Sequence, residues 1–200
     1  MKTKTKRAGG FTLIELLVVI AIIAVLATLA TPAILRALTK AKVVRASSIC
    51  KSVEMAVDGF ENEYNFLPYG GADYPTEESE LSDGDNDGLM AVLAGLEDEL
   101  NFKSITYFSQ EEPKGSSDAN YKDGMHLDRT AGTAALYDPW GSRYHITLDY
   151  LQGANEEGIE HPYDPTERIR RKIIVFSYGP DNKFSTNGGN SDNRDNPSNF

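Results

Sequence analysis

The first feature of the chain is an uninterrupted run of apolar residues close to its N-terminus. Between Phe11 and Leu35, Glu15 is the single charged residue. At about 1.5 Å of rise per residue, a helix of this length can cross a hydrocarbon core of about 30 Å. The pattern therefore predicts a membrane-spanning helix over residues 11–35.

A one-sided helical pattern follows this run. Apolar residues recur there at steps of three and four positions, which is one stripe of an amphipathic helix. No stop signal separates the two patterns, so a single helix is predicted over residues 11–66, ending before Pro68. Pro32 is expected to kink or locally unwind it, because proline lacks the amide donor. The stripe consists of Ala46, Ile49, Cys50, Val53, Ala56, Val57, Phe60 and Tyr64.

From Leu67 onward the composition shifts toward Gly, Pro, Asp and Tyr, which predicts a globular head over residues 67–200. The fold class expected is α+β, with the long helix packed on a small antiparallel sheet. Helical spacing is found over 89–100, and polar insertions over 110–125 and 153–165 are expected to be mobile surface loops. Short strands are predicted at 105–108, 143–151 and 172–178.

The net charge of the chain limits the kinds of partner that it can bind. The net charge is −10, and it would fall to near −14 without the basic leader, which carries Lys2, Lys4, Lys6 and Arg7. Such a chain is a poor match to nucleic acid, whose phosphates need clustered lysine and arginine. The basic cluster after the apolar run is expected to meet lipid head groups. It consists of Arg36, Lys40, Lys42 and Arg45.

The order of parts at the N-terminus is unlike that of a secretory signal peptide, whose cleavage site follows its apolar core. Cleavage after Gly10 would remove only the leader, residues 1–10, and keep the whole helix. Glu15 inside hydrocarbon would cost on the order of 3 kcal/mol, so it needs a cationic partner. The new amino group of Phe11, in the same chain or a neighbour, would supply one.

The stretch Gly10-Phe11-Thr12-Leu13-Ile14-Glu15 resembles the processing site of the type IV pilin and type II secretion pseudopilin superfamily. The resemblance implies that a prepilin peptidase cuts between Gly10 and Phe11 and methylates the Phe11 amine. It implies that Glu15 aids subunit recruitment and that Pro32 matches a helix-breaking proline of the family. The alternative is an ordinary signal anchor with a snorkelling Glu15.

The resemblance also implies location and partners. The protein is expected in the bacterial inner membrane as a single-pass protein, with its N-terminus cytoplasmic and its head in the periplasm or in an extracellular filament. Its expected partners are further copies of itself in a homopolymeric filament, other pseudopilins or pilins, the prepilin peptidase, the inner-membrane assembly platform and membrane lipid.

Two stretches carry the resemblance into the head. The sequence Asp138-Pro139-Trp140-Gly141-Ser142-Arg143-Tyr144 resembles the Asp-Pro-Trp-Gly-Asn-Pro-Tyr motif of major pseudopilins and departs from it at Ser142 and Arg143. The sequence Phe176-Ser177-Tyr178-Gly179-Pro180-Asp181 resembles the strand and turn that open their C-terminal calcium loop. By this resemblance Asp181 is the turn aspartate, with calcium held by the carbonyls of Tyr178 and Lys183 and the carboxylates of Asp192 and Asp195. The alternative is a disordered acidic tail.

A second calcium candidate is the stretch Asp83-Gly84-Asp85-Asn86-Asp87-Gly88, which matches the first six positions of an EF-hand loop. Its candidate ligands are Asp83, Asp85 and Asp87. The match fails at the twelfth position, where Ala94 replaces the bidentate glutamate. The alternative is an acidic turn that caps the following helix.

No catalytic pattern is present. His126, His145 and His161 lack metal-ligand spacing, and no nucleophile elbow or phosphate loop occurs. Cys50, the single cysteine, is expected to be a small buried hydrophobe. The sequence therefore predicts a structural subunit of a type II secretion pseudopilus and not an enzyme. The alternatives are a type IV pilin or minor pilin for adhesion, motility or DNA uptake, and a monomeric binding module on a signal anchor.

Overall fold

The computed structural model of the chain describes residues 12–69, 79–81, 86–150, 158–187, 193 and 195–200. The chain divides into two compact units, residues 1–41 and 42–200. The predicted processing residues Gly10 and Phe11 lie outside the described residues, as do Asp83, Asp85 and Asp192.

Helix α1 (Leu13–Tyr64) supplies the described part of the first unit and the first element of the second. Within the second unit it buries Ala46, Ile49, Cys50, Val53, Ala56, Val57, Phe60 and Tyr64. This set is identical to the apolar stripe predicted from the spacing of three and four, and the prediction is confirmed.

The end of α1 corrects the predicted boundary by two residues. Asn65 adopts a left-handed φ of 63° and donates its amide to the Glu61 carbonyl at 2.7 Å. Asparagine tolerates this conformation and can end a helix. Helix α1 therefore ends at Tyr64 and not at residue 66 as predicted. The helix runs unbroken through Pro32, and the local unwinding considered for that residue does not occur.

The head contains a short helix and seven strands among the described residues. The elements are β1 (Ser79–Leu81), α2 (Asn86–Ala94), β2 (Gly124–Asp128), β3 (Thr133–Tyr137), β4 (His145–Leu148), β5 (Ile159–His161), β6 (Asp164–Ile169) and β7 (Ile173–Phe176). Strands β1, β4 and β7 form a three-stranded antiparallel sheet in the order β1-β4-β7, while β2 pairs with β3 and β5 pairs with β6.

The core lies between α1 and one face of the three-stranded sheet. Alternate residues of β4 and β7, among them Ile146, Leu148, Ile173 and Val175, join the stripe of α1 and the apolar side of α2 in one buried cluster. The period of two along a strand places these side chains on one face. The α+β prediction of a long helix on a small antiparallel sheet is thereby confirmed, and it is consistent with a pilin-like fold.

Helix α2 and the segment after it differ from the predicted boundaries. The helix begins three residues earlier than predicted and ends at Ala94, because Gly95 takes a positive φ of 73° and Leu96 donates its amide to the Ala91 carbonyl. The predicted strand over 105–108 is not formed. The amides of Tyr107 and Phe108 both donate to the Leu93 carbonyl, which fixes the segment against α2 instead of in a sheet.

The two polar insertions, predicted as mobile surface loops, contain secondary structure among their described residues. Part of 110–125 forms a 3₁₀ turn, Asp118–Asn120, and leads into the β2–β3 hairpin. Within 153–165, residues 153–157 lie outside the described part, and the remainder enters the β5–β6 hairpin. Hairpin pairing satisfies the backbone of these polar segments without the apolar composition by which strands are usually recognised.

Candidate functional site

The start of α1 is closed by a reciprocal cap between Thr12 and Glu15. The Thr12 amide and hydroxyl both donate to one carboxylate oxygen of Glu15, at 2.9 and 2.7 Å. In return, the Glu15 amide donates to the Thr12 hydroxyl oxygen at 3.3 Å. This is the capping box of a helix, in which two otherwise unpaired amides are satisfied by side chains.

Sequence reasoning missed this cap, although the signature Thr-x-x-Glu before an apolar run was present. The donors from Thr12 offset part of the cost of placing a carboxylate in apolar surroundings. The predicted pairing of Glu15 with a Phe11 amine involves a residue outside the described part of the chain, so it stays a prediction.

The first half of α1 presents apolar side chains on all sides. Leu13, Ile20 and Leu29 are each more than half exposed. In the described residues, this helix is the one long and apolar enough to cross a membrane, with a mean hydropathy of 2.9 over its best window. A helix that is apolar all round must be covered by lipid or by other helices.

In the head, the Asp138 carboxylate organises the turn after β3. Its Oδ1 accepts the amides of Trp140, Gly141 and Ser142 at 2.7–2.9 Å. Its Oδ2 accepts the Ser177 hydroxyl at 2.5 Å. Burial raises the pKa of Asp138, and these hydrogen bonds oppose that shift. The Asp-Pro-Trp-Gly stretch is therefore a turn tied to the end of β7.

Arg143, where the sequence departs from the family motif, joins three parts of the head. Its guanidinium pairs with Asp87 in the first turn of α2 and lies 3.2 Å from Asp118. The same group lies 5.0 Å from the centroid of the Tyr137 ring. Asp87 of the second calcium candidate thus has an arginine partner, and calcium binding by this loop stays a prediction.

The residues predicted for the C-terminal calcium loop are only partly described. The Asp181 carboxylate accepts the Lys183 amide at 3.0 Å, and the Lys183 carbonyl accepts the Asn196 side-chain amide at 3.3 Å. Among the described residues, no group of three or more His, Cys, Asp or Glu side chains could hold a metal ion. Tyr178 and Lys183, whose carbonyls were predicted as ligands, and Asp195 lie among the described residues. Calcium binding by this loop stays a prediction.

The remaining candidate side chains, three histidines and one cysteine, make packing contacts or ion pairs within the head. His126 contacts Glu112, His145 contacts the rings of Phe176 and Tyr178, and His161 packs on Tyr163 and Phe200. The three histidines therefore lie in separate places. Cys50 is a buried free thiol whose pKa burial raises, which confirms its reading as a small hydrophobe.

A row of acidic residues along α1, which was not predicted from the sequence, holds the β6–β7 turn. Arg171 lies 3.2 Å from Glu54, and Lys172 lies 2.8 Å from Asp58 and 2.6 Å from Glu61. The spacing of four and three places these acids on one side of the helix. Of the basic cluster assigned to lipid, Arg45 instead lies 2.8 Å from Asp123 of the head.

Comparison with known proteins gives one family match. Residues 5–31 match the prokaryotic N-terminal methylation motif. No curated protein and no solved structure matches the chain. The motif supports a type IV pilin-like protein, and it implies prepilin peptidase processing and filament assembly in general. The apolar helix near the N-terminus fits the membrane anchoring of such a protein.

Proposed function

We propose that this type IV pilin-like protein is a structural subunit of a type II secretion pseudopilus. Its role would be assembly: copies pack through the apolar half of α1 into a helical filament that drives protein export. The observation that carries the proposal is the combination of an all-round apolar, exposed helix with a capped Glu15 at its start. Lipid alone would cover the apolar surface, whereas packed helices would also give the carboxylate a cationic partner.

The secretion role rests on the Asp-Pro-Trp-Gly turn. The Asp138 carboxylate gathers three backbone amides and the Ser177 hydroxyl, so both stretches that resemble major pseudopilins act as one unit of this head. In this role, the N-terminus lies in the cytoplasm, and the head lies in the periplasm. The inner-membrane assembly platform and other pseudopilins are the expected partners.

The proposal is tested by deleting the gene and measuring protein export and surface pili separately. Loss of export with normal pili supports the pseudopilus, whereas loss of pili, adhesion, motility or DNA uptake with normal export supports the pilin alternative. Complementation with Glu15→Ala should restore neither filaments nor export, because removing one partner of a buried pair costs about 3–5 kcal/mol. Glu167→Ala, which changes an exposed glutamate of β6, is the matched control and should restore both.

A further inference from the structure

Two large apolar side chains of the second unit point into solvent. Among the described residues of that unit, Met55 and Phe102 are the most exposed side chains of this kind, at 65% and 66%. A single exposed apolar residue is common on a protein surface. The surroundings of these two residues show that they form a matching pair of contact surfaces.

Phe102 lies on a turn whose backbone is held firmly in place. The neighbouring Asn101 is fully buried, and its side chain makes hydrogen bonds with Tyr64, Val92 and Ile105. The Phe102 ring lies edge-on to the Tyr64 ring, with the two centroids 5.0 Å apart. Because the turn and the ring are fixed before a partner arrives, binding through Phe102 would cost little ordering of the side chain.

Met55 lies on the face of α1 that the rest of the second unit leaves exposed. The exposed residues of this face recur at steps of four and three positions, which places them on one side of the helix. Lys51, one turn before Met55, has no ion-pair partner among the residues that the structure describes. The face therefore combines an adaptable thioether with an exposed cation. It consists of Val44, Ser48, Lys51 and Met55.

The turn that carries Phe102 has the opposite charge. Asp98 and Glu99 are exposed, and in the described part of the chain the Glu99 carboxylate has no cationic partner. The cation beside Phe102, Lys103, pairs with Glu63 of α1. The two exposed apolar side chains are thus accompanied by complementary charges, an arrangement that fixes orientation and register when two surfaces meet.

The two surfaces lie at different positions along α1. Phe102 packs on Tyr64, the last residue of the helix, which follows Met55 by nine positions. At 1.5 Å of rise per residue, the surfaces are about 13 Å apart along the helix axis. Parallel copies that join these two different surfaces can add further copies without limit, whereas a contact between identical surfaces would close as a dimer.

We propose that Phe102 of one copy packs on Met55 of a parallel neighbouring copy, while Glu99 of the first copy pairs with Lys51 of the second. This contact rests on the filament assembly proposed above and adds to the packing of the apolar helices. The flexible methionine side chain adapts to the fixed aromatic ring, and sulfur and ring attract each other. The charge pair sets the direction of the contact, because identical surfaces would bring like charges together.

The first test is cross-linking of the double variant Met55→Cys/Phe102→Cys with a short bismaleimide in cell membranes. Co-expression with wild-type protein retains the filaments. The contact predicts a ladder of multimers from the double variant. The wild type, whose single cysteine is the buried Cys50, and both single variants should stay unlinked.

Three results would contradict the contact. Cross-linked dimers of a single variant would show that identical surfaces meet. An unlinked double variant within intact filaments would exclude this contact and leave filament assembly standing. Failure of the wild type to form filaments at all would remove both the contact and the proposed function.

The second test reverses the two charges. Lys51→Glu and Glu99→Lys should each lower filament yield by about tenfold or more, because each brings like charges together. Both changes in one chain restore opposite charges and should return the yield to within about twofold of wild type. Arg129→Glu, the same charge change at an exposed position of the β2–β3 turn, is the matched control and should leave the yield unchanged.

Thermal unfolding of each charge variant should give the wild-type Tm, since all three positions are exposed. A loss of filaments at unchanged Tm then reports on the contact and not on folding. Full yield from either single reversal, no recovery in the double reversal, or an equal loss in Arg129→Glu would overturn the inference.

Discussion

The Ser177 hydroxyl donates to the Asp138 carboxylate across 2.5 Å, between two side chains that solvent does not reach. Ser177 follows β7, whereas Asp138 opens the turn after β3, so the bond closes a long loop of the chain. Ser177 also accepts the Gly179 amide at 3.1 Å. A single pair thus fixes the positions of two turns that are distant in sequence.

Two substitutions of Asp138 should show how much of its contribution to stability comes from accepting hydrogen bonds and how much from its charge. Asp138→Ala removes the side-chain acceptor of three part-buried amides and of the buried Ser177 hydroxyl, and leaves the Gly141 amide only its 3.3 Å bond to the Asp138 carbonyl. It is expected to lower the free energy of unfolding by about 3 kcal/mol or more. Asp138→Asn keeps an acceptor oxygen for these amides and should cost about 1 kcal/mol. Chemical denaturation of the detergent-solubilised protein measures both values. Equal, small losses in the two variants would contradict the assigned role.

The stability contribution of Asp138 should depend on pH. Burial raises its pKa in the folded protein, so its contribution is full below the ordinary pKa of an aspartate and is lost as pH rises through the raised value. The unfolding free energy of the wild type, relative to Asp138→Asn, should therefore increase from neutral pH to about pH 4. A difference that stays flat, or that decreases on acidification, would exclude a raised pKa.

Asn101 should be among the least replaceable polar residues of the head. Its fully buried side chain accepts the Tyr64 hydroxyl at 2.7 Å and the Ile105 amide at 3.0 Å, and donates to the Val92 and Ile105 carbonyls. Asn101→Asp would place a carboxylate against those carbonyls and should cost about 3 kcal/mol or more. Thermal unfolding tests this, with the exposed Asn120→Asp as a control that should change Tm little.

Arg143 and Asp87 should be energetically coupled. The pair is partly buried, with side chains 19% and 26% exposed, so it is shielded from solvent more than a surface pair. A double-mutant cycle of Arg143→Ala and Asp87→Asn should give a coupling of about 1–2 kcal/mol. Arg143→Lys should retain only part of it, because an ammonium cannot span both Asp87 and Asp118 as a guanidinium does. A coupling indistinguishable from zero would show the contact to be incidental.

The mature protein should begin at a methylated Phe11. Intact-mass and N-terminal peptide analysis of membrane-extracted protein measures this directly, and the leader with Lys2 should be absent from the mature chain. A signal anchor would instead keep residues 1–10. Detection of a mature chain that still carries them would contradict the assigned processing.

The sequence alone determined the features that depend on local periodicity. The stripe from Ala46 to Tyr64 was predicted residue by residue, because an α-helix returns each third or fourth side chain to the same face. The apolar run from Phe11 and the Thr12–Glu15 cap were equally readable, although the cap was overlooked. Strand β7 was found from its β-branched core, Ile173 to Val175.

Only the tertiary structure decided the contacts that join distant segments. The β5–β6 hairpin, the Asn101 contacts and the hydrogen bond from the Val175 amide to the Asn199 side chain use polar residues whose local sequence resembles that of a loop. Such residues become ordered when a partner far along the chain satisfies their hydrogen bonds in a buried place. Local propensity contains no information about that partner. The positions of these polar residues could therefore be read only from the tertiary structure.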